Sequence, residues 1–270
     1  MHENPPTPIL EDAEVLRQDL WPGGYHLLEL RAAGIASRVQ PGQFVHLRLF
    51  APADLVLRRP FSVFQADGEA LRLLYKVVGR GTKAMTRLRA GEGVSLLGPL
   101  GRGFPPPARG VLPVLVAGGY GAAALYLQAA ACPQPGWAFV GGAGAEDVLC
   151  TADFERLGWT VRIATEDGSL GVEGQVTLPL DEFLFDRARP SPIELFACGP
   201  DGLLQAVAER ARRHDVRAWI SMDRRMGCGV GACLTCVQKV RAPDGSGVWA
   251  RVCKEGPVFD AADVVWEAEP

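Results

Sequence analysis

The sequence predicts an α+β multidomain protein with three parts. These are an N-terminal antiparallel β-barrel, an α/β domain built on a parallel sheet, and a small cysteine-bearing C-terminal module. Three observations lead there. Short β-rich runs with alternating polar positions fill the first hundred residues. From residue 111, apolar runs alternate with helical stretches, the pattern of a parallel sheet with crossover helices. Four cysteines, Cys228, Cys233, Cys236 and Cys253, then gather near the C-terminus. At 270 residues, 48% of them hydrophobic, the chain has room for two cored domains and an appendage.

In the barrel, residues 24–32 and 43–50 mix β-formers with alternating polar positions. Residues 61–78 read as a hairpin with Asp67-Gly68 in its turn. A short helix over 82–89 and a strand around 93–97 follow, and such strands close into a small barrel. Arg59-Pro60-Phe61-Ser62 opens the hairpin; an Arg there can fork onto a phosphate, with Ser62 bonding the same ligand, although an ordinary strand edge has the same composition. Gly79-Arg80-Gly81-Thr82 precedes the helix and offers N–H groups to an anion, or Thr82 is simply its N-cap.

The Pro-rich segment 104–109 is the expected boundary, and the chain divides as 1–104, 105–220 and 221–270. Residues 111–131 read as strand, glycine turn and helix. Further apolar runs lie at 137–141, 159–164 and 193–198, with a helix over 200–213. Gly119 and Gly121 follow a strand and open a helix, the placement of a dinucleotide-phosphate loop, and tight strand–helix packing is the competing reading. Cys198-Gly199-Pro200 also stands between a strand and a helix. The segment 165–171 (TEDGSLG) follows another strand and reads as a ribose-facing or plain surface turn.

The run RRMGCGVGACLTC places Cys228, Cys233 and Cys236 at spacings of four and two intervening residues, with Cys253 further on. This is the plant-type [2Fe–2S] ligand pattern. Each iron takes two thiolates, and Gly227, Gly229 and Gly231 leave a loop that backbone N–H groups can turn toward sulfur. Structural zinc competes, but four-cysteine zinc sites come as two short Cys-x-x-Cys pairs, and only Cys233 and Cys236 form one. The remaining cysteines are scattered, as reduced thiols would be, and the polar, Pro-rich start does not read as a signal peptide.

A net charge of −3 argues against nucleic acid, and no apolar run reaches the ~18 residues of a membrane span. The expected location is cytoplasmic.

The blocks RRPFSV, GRGTKAMTRL, LGPLGRGF, ATEDGSLGVEGQVT, ACGPDGLL and MGCGVGACLTC, in this order over nearly the whole chain, resemble the electron-transfer subunits of class 1B dihydroorotate dehydrogenase, within the ferredoxin–NADP reductase superfamily. Arg102 stands where Asn is usual, Ala124 where the dinucleotide loop usually has Pro, and Asp223 where Glu is more usual. The resemblance implies a flavin-binding barrel with FAD contacts from Arg59, Pro60, Phe61, Ser62, Leu74, Tyr75, Lys76, Gly81 and Thr82, Tyr75 either stacking on the flavin or packing within its strand. It implies an NAD site at Gly119 and Gly121, and Cys198 where nicotinamide meets flavin. It implies a partner subunit holding FMN and oxidising dihydroorotate, in a heterotetramer of two copies of each. Electrons would run from FMN through the cluster to FAD and then NAD+. Related flavin/iron–sulfur reductase small subunits, of the sulfide dehydrogenase or NADPH:ferredoxin oxidoreductase type, share this layout. A redox-sensing module without turnover is the reading from a different class.

Overall fold

The computed structural model describes residues 6–50 and 54–266. The first unit is one antiparallel sheet of seven strands: β1 (Ile9–Trp21), β2 (Tyr25–Arg31), β3 (Phe44–Leu49), β4 (Arg59–Ser62), β5 (Gln65–Asp67), β6 (Ala70–Lys76) and β7 (Gly93–Leu100). Their order is β4-β3-β7-β1-β2-β6-β5, and the sheet curls until β4 meets β6. Period-2 alternation builds its core. Leu28 and Leu30, Val45 and Leu47, Leu71 and Leu73, and Val94 and Leu96 all point inward and are fully buried. The β5–β6 hairpin turns at Gly68, whose φ of 56° suits glycine. Helix α1 (Ala33–Ala36) and helix α2 (Arg80–Met85) complete the unit; α2 starts two residues before its expected position and ends at Met85.

β1 is the element the sequence patterning passed over. Its acidic and polar positions hide the short inward pair Ala13 and Val15. It becomes a strand because it is central, pairing with β2 on one side and β7 on the other.

The second unit has β8 (Leu112–Gly118), α3 (Gly121–Ala131), β9 (Trp137–Gly142), α4 (Thr151–Arg156), β10 (Thr160–Thr165), β11 (Val172–Glu173), α5 (Thr177–Phe185), β12 (Ile193–Cys198), α6 (Asp201–Arg213) and β13 (Arg217–Ser221). The strands from β8 to β13 are parallel, in the order β11-β10-β9-β8-β12-β13. Both faces are covered. Val114 and Val116 pack under α5 and α6, while Leu115 and Ala117 pack under α3 and α4. The chain works outward from β8 to β10, then returns to the other side of β8 for β12. That reversal opens a crevice at the carboxyl ends of β8 and β12, where open α/β sheets bind ligands.

The third unit contains the hairpin β14 (Val237–Arg241) and β15 (Gly247–Arg251), then β16 (Val258–Asp260). β16 returns to pair antiparallel with β13, extending the second sheet. The cysteine loop is thus held between two anchored strands. Backbone bonds also tie the units together: the Arg102 amide donates to the Gly256 carbonyl, and the Phe104 amide to the Pro41 carbonyl at 2.7 Å. Among the described residues no helix is long and apolar enough to cross a membrane.

Candidate functional site

The crevice between β8 and β12 continues into a cavity of 190 Å³ that all three units line. The barrel contributes Pro60, Phe61 and Ser62 from β4, Leu74, Tyr75 and Lys76 from β6, and Thr82 from α2. The α/β unit contributes Tyr120, Ala123, Ala124, Cys198 and Gly199. The coil entering the cysteine loop contributes Met222, Asp223 and Met226. Eight of the candidate contact residues named from the sequence (Pro60, Phe61, Ser62, Leu74, Tyr75, Lys76, Thr82 and Cys198) therefore share one cavity. A larger cleft of 810 Å³ beside the Pro-rich segment is lined by none of them.

Arg59 does not line the cavity but lies next to it. Its guanidinium crosses Gly81 so closely that a Cβ at residue 81 would stand 1.7 Å from Nε. Gly81 is therefore required by the arginine, and the two bring positive charge to the start of α2. The Thr82 hydroxyl accepts from the amides of Val78 (2.9 Å) and Gly79 (3.1 Å); Gly79 is the N-cap and Thr82 the third helical residue reaching back to it, so Thr82 is not the N-cap that the sequence offered as the alternative. Tyr75 lines the cavity wall while its ring packs within the sheet, stacked on His26 (5.3 Å, 20°) and edge-on to Phe61. Lys76 reaches across to the α/β unit, pairing with Asp147 Oδ1 at 2.9 Å and lying 4.7 Å over the Tyr25 ring. Tyr25 donates to the same carboxylate oxygen at 2.9 Å. Lys76, Asp147 and Tyr25 thus form a clasp between units.

At the crevice the glycine loop and the Cys198-Gly199 turn stand back to back. A Cβ on Gly121 would lie 2.1 Å from the Cys198 carbonyl oxygen, so packing alone demands glycine there. Gly119 takes φ +53° in open space. Burial pushes the Cys198 thiol up to about 12, so it is a neutral thiol at physiological pH. The Tyr120 hydroxyl lies 3.5 Å from Asp223 Oδ2, and burial raises that carboxyl above its usual range. Pro60, Leu74 and Met226 supply apolar wall, and Ser62, Lys76 and Asp223 a polar rim. This combination fits a flat aromatic ring carrying polar edges.

The cysteine loop begins two residues after Met226. Its thiols fall into two pairs. Cys228 and Cys233 exchange amide-to-sulfur bonds of 3.4 Å in each direction, and the Cys253 amide donates to Cys236 Sγ at 3.4 Å. The amides of Val230 and Ala232 also point at Cys228 Sγ, at 3.5 and 3.3 Å. Burial opposes ionisation of Cys228, but the amide bonds together lower its thiol. Cys233 is lowered to about 6, chiefly by the Thr235 hydroxyl 3.2 Å away. Cys253, inside, is pushed up to about 12 by burial. Gly229 and Gly231 take φ of +73° and +83°, and Gly227 stands 3.1 Å from Cys233 Sγ at its would-be Cβ. No group of three or more His, Cys, Asp or Glu among the described residues forms a single-ion site. Two pairs of thiols among inward amides suit a two-iron cluster better than one zinc ion.

Sequence reasoning missed Phe44, Ser221, Met222 and Pro257, apolar or small residues that only the fold brings to the cavity. It also missed His46, which β3 places beneath the cysteine loop.

Known proteins carry the same features. Residues 223–265 match the iron–sulfur cluster binding domain of dihydroorotate dehydrogenase B. The "Dihydroorotate dehydrogenase B (NAD(+)), electron transfer subunit" of Desulforamulus reducens is 36% identical over 261 residues, 95% of this chain and 98% of that protein. Its counterpart in Shouchella clausii is 40% identical over 264 residues, covering 95% and 96%. Among solved structures, a chain of NADH-dependent reduced ferredoxin-NADP oxidoreductase superimposes with a TM-score of 0.81 at 25% identity, over 94% of this chain and 90% of that one. A ferredoxin NADP+ reductase from Neisseria gonorrhoeae shares the fold, with a TM-score of 0.61 at 14% identity over 76% and 91%. With that identity running through the barrel, the crevice and the cysteine loop alike, the chain belongs to the family of dihydroorotate dehydrogenase B (NAD(+)) electron transfer subunits.

Proposed function

We propose that this chain carries electrons between a dihydroorotate-oxidising partner and NAD+, through a [2Fe–2S] cluster and FAD, in pyrimidine biosynthesis. One observation carries the reading. Met226 lines the cavity and Cys228 follows two residues later, a span of at most about 7 Å, so the cluster loop abuts the flavin wall. When bound, the flavin links a one-electron cluster to a two-electron nicotinamide.

The residues have distinct tasks. Arg59 holds the flavin's phosphates at the start of α2. Pro60, Phe61 and Leu74 exclude water from the ring, with Ser62 and Lys76 on its polar edge. Gly119 and Gly121 let the dinucleotide approach the crevice, and the neutral Cys198 thiol presses against the nicotinamide. Cys228, Cys233, Cys236 and Cys253 hold the cluster. We assign residues 1–104 to the flavin unit, 105–220 to the NAD unit and 221–270 to the cluster unit.

The partner is an FMN-containing catalytic subunit, in a complex of two copies of each chain located in the cytoplasm. Exposed Val230 and Leu234 beside the exposed Cys233 support docking at the cluster face. The ferredoxin oxidoreductase reading has the structural likeness at 25% identity, but the dihydroorotate relatives stand at 36–40% over most of the chain. Affinity purification with this chain as bait, then assay of dihydroorotate-dependent NAD+ reduction, tests the reading. Recovery of an FMN subunit with orotate formation is expected. A different partner with no orotate formed would transfer the chain to its reductase relatives.

A further inference from the structure

A polar side chain without a partner lies where barrel and cysteine loop meet. His46, in the middle of β3, is fully buried, and among the described residues neither ring nitrogen completes a hydrogen bond, although the Cys228 backbone carbonyl faces the ring. Leaving such a group unsatisfied is costly, so its persistence calls for a partner that arrives with the loop's working state.

The surroundings say which partner. β3 alternates: Val45 and Leu47 face the barrel core, while Phe44 and His46 face the third unit. Phe44 packs in one cluster with Cys236, Val252 and Cys253, and it also lines the cavity. Its ring meets His46 edge-on at 6.2 Å. On the far side of His46 is Gly229, where a Cβ would stand 2.6 Å from Nδ1 and 2.8 Å from Cε1. The Cys228 backbone faces the same ring. Arg58 pins the strand from beneath, donating to the carbonyls of His46 (3.2 Å) and Ser95 (2.9 Å). An imidazole offers an N–H donor in either protonation state.

We propose that His46 is a positioning residue for the cluster: a ring N–H donates to the Cys228 carbonyl as the loop closes on the cluster, fixing the cluster's place against the flavin cavity. The proposal rests on the cluster reading of the four cysteines. Outer hydrogen-bond partners orient ligands, and hydrogen bonding and solvent exposure tune cluster potentials. The Cys228 end of the loop has its own inward amides; what it lacks is a tie to the barrel, and His46 is placed to supply one.

The test compares wild type, His46→Gln and His46→Phe, purified anaerobically with cluster bound. The readouts are the EPR spectrum of the reduced cluster, its midpoint potential, the rate of cluster loss and FAD content. His46→Phe is expected to move the spectrum and potential and to retain the cluster about tenfold less well. His46→Gln, which keeps an N–H donor, should stay near wild type, and FAD content should be equal in all three. A wild-type spectrum and potential in His46→Phe would overturn the proposal. So would His46→Gln moving as far as His46→Phe, since that would be an effect of packing. If His46→Phe does not accumulate, Gly229→Ala probes the contact from the other side, and its methyl should produce the same spectral change. An unchanged spectrum there overturns the proposal as well. Wild-type protein without iron and sulfide would instead remove the cluster reading itself.

Discussion

Individual residues divide between those the ligands require and those the chain requires of itself. Arg59 belongs to the first class. Its guanidinium crosses Gly81 and donates to the Leu57 carbonyl, and among the described residues no carboxylate pairs with it. Hydrogen bonds to charged groups contribute about 1.5–3 kcal/mol, so Arg59→Ala should weaken FAD binding roughly 10- to 100-fold. Flavin content after dialysis measures this, and full retention would take Arg59 out of the site. Cys198 shows how a residue can be reactive in type yet quiet in place. With its thiol at about 12, thiolate accumulates only as pH rises toward that value. Alkylation of Cys198 should therefore stay negligible from pH 7 to 9 in the folded protein, read by peptide mass spectrometry. Rapid modification at pH 7 would mean that the thiol is far more open than its burial indicates.

At the scale of elements, two contacts set how the units meet. Gly121 at the start of α3 has the Cys198 carbonyl where a side chain would go, 2.1 Å from its would-be Cβ. The obstacle is backbone, so it cannot swing aside. Gly121→Ala should cost about 1–3 kcal/mol, as overpacking typically does, and lower the denaturant midpoint. The Lys76–Asp147–Tyr25 clasp is weaker, because Lys76 and Asp147 are partly exposed. Asp147→Asn should cost under about 1 kcal/mol. The Lys76 ammonium first, then Tyr25, hold the Asp147 carboxyl below its ordinary range. The clasp's contribution is therefore present at neutral pH and is lost as pH falls below about 4, through the depressed value. The denaturant midpoints of wild type and variant should converge in that acid range.

Elements were legible in the sequence where local pattern and tertiary use agreed. β3, β6 and β7 alternate because one face is barrel core. β8 and β12 read as continuous apolar runs because both of their faces are covered. β1 was not legible, since its identity depends on two neighbours from distant sequence. The cluster-binding domain was readable because one loop carries three cysteines at fixed spacing. The cavity was half readable: Pro60, Phe61, Ser62 and Cys198 announce themselves by type, whereas Phe44 and Met222 become cavity wall only through packing. His46 lies in an ordinary β-strand sequence, and only the approach of Gly229 gives it meaning.

For the whole molecule, the order of units along the chain becomes an order of redox sites in space. β16 pairs with β13 and holds the cysteine module on the α/β sheet, while the coil before Cys228 forms part of the flavin wall. On the proposed reading the cluster lies between the flavin and the exposed face carrying Val230 and Leu234. That reading predicts that the cluster is an obligatory relay for a partner docked at this face. The flavin–nicotinamide half, built from the other two units, should work without it. The most direct check is Cys233→Ser, assayed in complex with the catalytic subunit for two activities side by side. NADH-driven reduction of an artificial dye, which needs only FAD, should persist. Dihydroorotate-driven NAD+ reduction should vanish together with the cluster's visible absorption. A variant that has lost its iron and sulfide yet still reduces NAD+ from dihydroorotate at the wild-type rate would contradict the relay.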